Sequence, residues 1–76
     1  MSIRVIGITP GLASYGAFGT VLGGVLDDNV RPGNLMDVVW LDDPDQDVEE
    51  IDGGHLRVIS EGDFLVEAAD RAESVR

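Results

Sequence analysis

The residues of this chain that could take part in catalysis are one histidine, His55, the hydroxyls of Ser14 and Ser60, and many carboxylates. A serine, a histidine and an acid form a nucleophilic site when each holds the next by a hydrogen bond. Neither serine lies in the Gly-x-Ser-x-Gly elbow that presents such a nucleophile in many hydrolases. His55 follows Gly53-Gly54, a turn-forming pair after which an imidazole is commonly exposed. The sequence therefore predicts no catalytic residues and a chain that is not an enzyme.

Alternating carboxylates within residues 42–52 suggest a cation site, because Ca²⁺ prefers several carboxylate oxygens from one flexible loop. Asp43, Asp45 and Asp47 have that spacing, and the whole stretch holds seven acids and no base. An EF-hand loop beginning at Asp43 needs glycine at its sixth position and glutamate at its twelfth, where this chain has valine and glycine. The sequence predicts a solvated acidic loop without a metal, and a loose cation site stays the alternative.

The glycine-rich segment near the N-terminus is not a phosphate-binding loop. Such a loop carries Gly-Lys-Ser or Gly-Lys-Thr and opens a helix, and this chain contains no lysine. The sequence therefore predicts no cofactor.

Charge divides the chain into two unequal parts. The net charge of −10 comes from fifteen acids against five arginines. Residues 1–36 are neutral in sum, whereas residues 37–76 hold thirteen of the acids and three of the arginines. A surface with this much negative charge repels the phosphate backbone of a nucleic acid. We therefore expect a protein partner and not DNA or RNA.

Length and composition limit how the fold is stabilised. A chain of 76 residues forms one domain with a small core, and without cysteine it has neither a disulfide nor a thiolate metal site. No apolar run is long enough to span a bilayer, and the N-terminal segment lacks the pattern of a signal peptide. The sequence predicts a soluble chain, cytoplasmic or part of a virion, with no membrane partner. We expect it to gain stability as a homo-oligomer or by docking on another protein.

Short apolar runs separated by turn residues predict an all-β fold. The strongest run, residues 35–41, is expected to bury Trp40 in the core. Its only charged residue, Asp37, is expected to point outward or to find a hydrogen-bonding partner. Gly23-Gly24 predicts a bulge or a sharp bend within the second strand. The predicted strands cover residues 3–8, 19–26, 35–41, 48–51 and 55–60.

Two loops are the predicted docking elements. Loop 9–18 carries Tyr15 and Phe18, and Phe18 is expected to fold back as a lid over one end of the core. Loop 27–34 consists mainly of turn residues, with Val30 as its anchored side chain.

Residues 61–76 form a tail that is predicted to pack on the domain of residues 1–60. Ser60 precedes acids that favour the first turn of a helix, and Glu67 and Arg71 have the spacing of a helical ion pair. The helix would place its apolar residues on one side, namely Phe64, Leu65, Ala68, Ala69 and Ala72. The alternative is an extra strand over residues 64–68.

The order of these features resembles that of small SH3-like barrels, including those of the KOW type. Over residues 3–59 the order is a strand, a glycine-rich loop, the motif Gly-x-x-Gly-Thr-Val, a hairpin, a strand with Val-Val-Trp, an acidic turn and a closing strand with Leu-x-Val-Ile. The resemblance implies a five-stranded SH3-like barrel with a short C-terminal helix or extra strand. It also implies that Gly11, Gly16 and Gly19 shape the first loop and that Val21 enters the core.

These features together predict a non-enzymatic structural or protein–protein interaction module. We expect a small accessory subunit that docks on a larger assembly such as a viral capsid, as a decoration protein. The predicted partner-binding residues are Tyr15, Phe18, Val30 and Arg31. The alternative, a KOW-type nucleic-acid or ribosome-associated module, would use the arginines Arg4, Arg31 and Arg57.

Overall fold

The computed structural model describes residues 2–74, which form a five-stranded antiparallel sheet and one helix. The elements are β1 (Ile3–Gly7), β2 (Phe18–Val21), β3 (Leu35–Trp40), β4 (Val48–Asp52), β5 (Leu56–Ile59) and α1 (Glu61–Ser74). The strands lie side by side in the order β4-β3-β2-β1-β5. Two 3₁₀ turns lie in the connections, Asp27–Asn29 before β3 and Gly53–His55 between β4 and β5. The prediction of a mostly β domain with five strands is confirmed.

One face of the sheet holds the core. Along β3, Met36, Val38 and Trp40 are buried and Asp37 is exposed, which is the period of two expected of a half-buried strand. The buried apolar cluster consists of Val5, Val21, Met36, Val38, Trp40, Ile51 and Leu56. Trp40 is 8% exposed, so its predicted place in the core is confirmed, as is the outward position of Asp37.

The second strand differs from its predicted range of residues 19–26. Phe18, which the sequence places in the loop, is the first residue of β2, and the strand ends at Val21. Gly23 and Gly24 both have positive φ, 94° and 66°, and this conformation turns the chain out of the ladder. The glycine pair therefore forms the predicted sharp bend and not a bulge, but it follows the strand instead of lying in its middle.

The other strand boundaries lie close to the predicted ones. β1 stops at Gly7 and β3 at Trp40, each one residue before its predicted end. β5 begins at Leu56 because residues 53–55 form the 3₁₀ turn, which His55 completes.

Gly19 has a different role from the one that the resemblance implies. It is buried inside β2 and does not belong to the loop. A Cβ at this position would lie 2.8 Å from Trp40 Cε3 and 2.8 Å from Val38 Cγ1. Its missing side chain makes room for the Trp40 ring. Gly11 and Gly16, with φ of 91° and 77°, do lie in the loop and allow its turns.

The C-terminal helix begins with the predicted cap, since Ser60 Oγ accepts a hydrogen bond from Asp63 N–H at 3.0 Å. The alternative of a strand over residues 64–68 is wrong. Phe64 is 7% exposed and packs toward the sheet, whereas Leu65 is 55% exposed. Ala69 and Ala72 are exposed as well, so the buried side of α1 is narrower than predicted.

The contacts of Arg4 hold α1 with Phe64 toward the sheet, because Arg4 joins β1, β2 and α1. Its guanidinium donates to both carboxylate oxygens of Glu61, at 2.8 and 3.0 Å, and to the Thr20 hydroxyl. The same guanidinium lies 4.2 Å from the centre of the Phe64 ring, in cation–π contact. The hydrogen bond lowers the pKa of Glu61 and raises that of Arg4. We call this group of residues the Arg4 clamp.

A second ion pair holds the far end of the helix. Arg71 binds Asp42, just beyond β3, and Glu67 at 3.2 Å, which confirms the predicted Glu67–Arg71 pair. Its guanidinium lies 5.6 Å from the centre of the Phe18 ring. Phe18 is half-buried beneath Arg71, so the predicted lid is itself covered by the helix.

We predict that Gly19→Ala destabilises the fold by about 1–3 kcal/mol, because the added methyl overlaps the Trp40 ring and Val38 in a packed core. Urea unfolding followed by Trp40 fluorescence measures the change as a lower midpoint with an unchanged slope.

Gly62→Ala is the matched control. Its Cβ would meet only Ser60 Oγ, at 3.9 Å, and alanine favours a helix, so this variant should equal or exceed the wild type in stability. Equal stability of the two variants would contradict the proposed packing of Trp40 over Gly19.

Candidate functional site

The loop that joins β1 to β2, residues 8–17, is a series of tight turns that exposes apolar side chains. Leu12 N–H donates to Thr9 O at 3.3 Å, Tyr15 N–H to Leu12 O at 3.0 Å, and Ala17 N–H to Ser14 O at 2.9 Å. Ile8 and Leu12 are each 40% exposed and Tyr15 is 59% exposed. We call these three side chains the loop surface.

The base of the loop is held against the end of β1. Gly16 N–H donates to Gly7 O and Gly7 N–H donates to Ala17 O, both at 2.9 Å. Ser14 is buried at 8% exposure, and its carbonyl occupies the space that a side chain on Gly7 would fill. The turns are therefore closed by backbone hydrogen bonds and by a close backbone approach that only glycine allows.

The 3₁₀ turn Gly53–His55 holds the beginning of the same loop. His55 Nδ1 lies 2.7 Å from Thr9 Oγ1, and His55 O accepts a hydrogen bond from Ile8 N–H at 2.9 Å. A hydroxyl that is hydrogen-bonded to an imidazole is also one of the two contacts of a nucleophilic catalytic site. The other contact is between the imidazole and an acid that orients it. The nearby Asp52 carboxylate accepts instead from the N–H groups of Gly54 and Gly33. The contact between Thr9 and His55 holds the start of the loop against the turn.

The same turn also holds loop 27–34. Asp52 Oδ1 accepts from Gly33 N–H at 2.8 Å, and Gly53 N–H donates to Asn34 O at 2.8 Å. A side chain on Gly53 would overlap the backbone of Arg31. Both predicted docking loops are thus tied to one short turn.

The predicted partner-binding residues occupy different environments. Tyr15 and Arg31 are exposed, whereas Phe18 is half-buried beneath Arg71, and Val30 packs against the core as the predicted anchor. Partner binding by all four stays a prediction, and the exposed pair is the better placed for it. Sequence reasoning placed Ile8 in the first strand and did not single out Leu12 within the predicted docking loop, because large apolar side chains are expected to be buried.

The residues of the loop itself carry no charge. The sequence has no charged residue from position 5 to position 26, so every acid lies outside the loop. The acidic loop closes on itself, because Asp43 accepts from the N–H groups of Asp45 and Asp47 at 3.0 and 3.1 Å. Glu49 accepts from the Trp40 indole N–H at 3.1 Å.

Acidic side chains nevertheless come close to the loop. Asp42 and Glu49 line a small pocket together with Ala13, Ser14 and Ala17 of the loop. The loop surface therefore consists of uncharged residues that border acidic ones.

Two further observations apply to residues 2–74. No group of three or more histidine or acidic side chains within this part is arranged to hold a metal ion. The helix in the same part is too short and too polar to cross a membrane.

We predict a pH-dependent contribution of Asp52 to stability. The N–H groups of Gly54 and then of Gly33 lower the pKa of its carboxyl group in the folded chain. The carboxylate therefore stabilises the fold above the pKa of the unfolded chain, about 4, and this contribution is lost as the pH falls through the lower folded-state pKa. Asp52→Asn should be less stable than the wild type at neutral pH, and urea unfolding should show the difference shrinking below about pH 4.

Asp45→Asn removes an equal charge from the acidic loop without removing a hydrogen-bond acceptor that the structure uses. It should leave stability unchanged or raise it at every pH. A loss as large as that of Asp52→Asn would show that net charge, and not the turn, explains the effect.

The chain matches no protein-family model, no curated protein and no solved structure.

Proposed function

We propose that this chain is a non-enzymatic protein–protein interaction module that docks through the loop surface on a larger assembly. One observation carries the proposal, namely three exposed apolar side chains on an uncharged loop of a chain with a net charge of −10. An apolar area with few charges costs little to remove from water and gains from burial.

The loop is also prepared for binding by the contacts that hold it. The N–H groups of Gly7 and Gly16 donate hydrogen bonds at the end of the loop, and His55 O accepts one from Ile8 at its start, so both ends are restrained before any partner is present. A preformed loop loses less conformational entropy on binding than a flexible one. Tyr15 supplies a large aromatic side chain with a polar end, a residue type that often dominates binding energy.

The distribution of acids supports docking through the loop. Every acid lies outside residues 5–26, and the negative charge of the rest of the chain would keep neighbouring copies apart. A repeating surface such as a viral capsid offers many equivalent places for a subunit of this kind. We propose such a decoration role as the setting of the docking function.

We further propose that the fold is an SH3-like barrel. The sheet order places β4 and β5 at opposite edges, yet the three-residue turn Gly53–His55 connects them directly. A sheet whose two edge strands are joined by so short a turn has to curl until the end of β4 comes close to the start of β5. This constraint supports a barrel of the kind that the sequence resembles.

Photo-crosslinking tests the docking proposal. With p-benzoylphenylalanine in place of Tyr15, irradiation of the intact assembly or of source cells should give one dominant crosslinked protein. The same substitution at Asp45 is the control and should give none. In a binding assay with the identified partner, Tyr15→Ser should lower affinity about tenfold. Equal crosslinking from both positions, or from neither, would overturn the proposal.

The alternative of a KOW-type nucleic-acid module has less support. Arg4 and Arg57 share one face of the β1–β5 pair, but Arg4 is already bound to Glu61. We expect no gel shift with RNA or DNA at low salt. A shift that weakens steeply as salt rises would favour the alternative.

A further inference from the structure

An open cleft of about 490 Å³ lies at the other end of β1 from the loop surface. Its apolar lining comes from β1, from β5 and from the segment that follows β2, namely Ile3, Val25, Leu26, Val58 and Ile59. Ile3, Val25 and Val58 are only partly buried and pack against the core, so the floor of the cleft continues the core to the surface. The volume lies within the range of roughly 300–1,000 Å³ that is typical of ligand sites.

The early end of β2 accounts for this cleft. Gly23 and Gly24 turn the chain away from the sheet after Val21, so residues 25–28 line the cleft opposite β5 and do not extend the ladder. Leu26 is 70% exposed beside the opening. A large aliphatic side chain at the rim of an apolar cleft is therefore free to cover an occupant.

β5 presents an unpaired backbone edge beside the cleft. Ile8 N–H donates to His55 O, which makes these two residues a hydrogen-bonded pair. Such pairs alternate along an antiparallel ladder, so the residues of β5 that bond to β1 are Arg57 and Ile59. The N–H and C=O of Val58, which lies between them, therefore point away from β1. No other strand among residues 2–74 pairs with β5 on that side. An extended segment can form backbone hydrogen bonds to such an edge.

The rim of the cleft carries uncompensated negative charge. Glu61 lines the cleft but is bound to Arg4 within the Arg4 clamp. Asp27 and Asp28 also line it, are exposed, and form no side-chain hydrogen bond or ion pair with any residue in the range 2–74. The charge at the rim is therefore complementary to arginine or lysine on an occupant.

We propose that this cleft is a second binding site, which holds an extended segment of a partner protein with an aliphatic side chain next to arginine or lysine. The aliphatic side chain fills the space between Val25 and Val58, and the basic side chain pairs with Asp27 and Asp28. The backbone of the segment pairs with β5 at Val58. A second copy of this chain is disfavoured as the occupant because each copy carries a net charge of −10.

The site and the loop surface are independent of each other, because they lie at opposite ends of β1 and share no side chain. A chain with both sites would connect two partners.

A peptide titration tests the cleft. The probe is a capped heptapeptide of alternating valine and arginine, added to ¹⁵N-labelled full-length protein while amide shifts are recorded. The largest shifts should fall on β5 around Val58 and on Leu26, and their concentration dependence gives Kd. Asp27→Asn combined with Asp28→Asn should weaken binding about fivefold, and Leu26→Ser should weaken it as well.

Three controls make the result decisive. Asp45→Asn combined with Asp47→Asn removes the same charge from the acidic loop and should change Kd less than about twofold. A heptapeptide with glutamate in place of arginine should not bind, and Tyr15→Ser should bind the basic peptide as the wild type does.

Absence of binding, shifts centred on the acidic loop, or equal weakening by the two charge variants would each overturn the proposal. So would sedimentation as a dimer with the same residues shifted, which would identify a second copy as the occupant. Because Tyr15→Ser changes the loop surface and not the cleft, loss of peptide binding at the cleft can be distinguished from loss of docking through the loop surface.

Discussion

The turn Gly53–His55 is the constraint on which the rest of the structure depends. It joins the two edge strands of the sheet, and it bonds to both of the long loops through Asp52, Gly53 and His55. A chain of this length has few buried side chains to stabilise it and no cysteine to crosslink it. Hydrogen bonds that hold the two loops against one turn therefore restrain the loop conformations, as contacts with a larger core would otherwise do.

Two charged side chains complete the domain by attaching the helix. The Arg4 clamp holds the first turn of α1 to β1 and β2, and Arg71 holds the last part of the helix to Asp42. Both arginines also lie over an aromatic ring, Phe64 in one case and Phe18 in the other. Each guanidinium group combines an ion pair with packing on an aromatic ring. In this small fold the two groups therefore attach the helix to the sheet, which additional apolar contacts do in larger domains.

The sequence was sufficient to predict five strands, because most of them are apolar runs between strong turn residues, and to predict the helix cap at Ser60. The mostly acidic strand β4 and the end of β2 do not follow that pattern. The sequence was insufficient where one residue type serves two purposes. Gly19 and the pair Gly23-Gly24 look alike in a sequence, yet the first accommodates a ring inside a strand and the second ends that strand. The loop surface was only partly predictable, because exposure of Ile8 depends on backbone hydrogen bonds to His55 and not on local pattern.

The contact between Gly19 and Trp40 limits how this sequence can change over evolutionary time. A side chain at position 19 becomes acceptable only after position 40 has lost its large ring, and neither change is favourable alone. We therefore expect the two positions to vary together among distant descendants of this chain. A lineage that kept tryptophan would keep glycine beneath it, whatever happened to the loops and to the acidic surface.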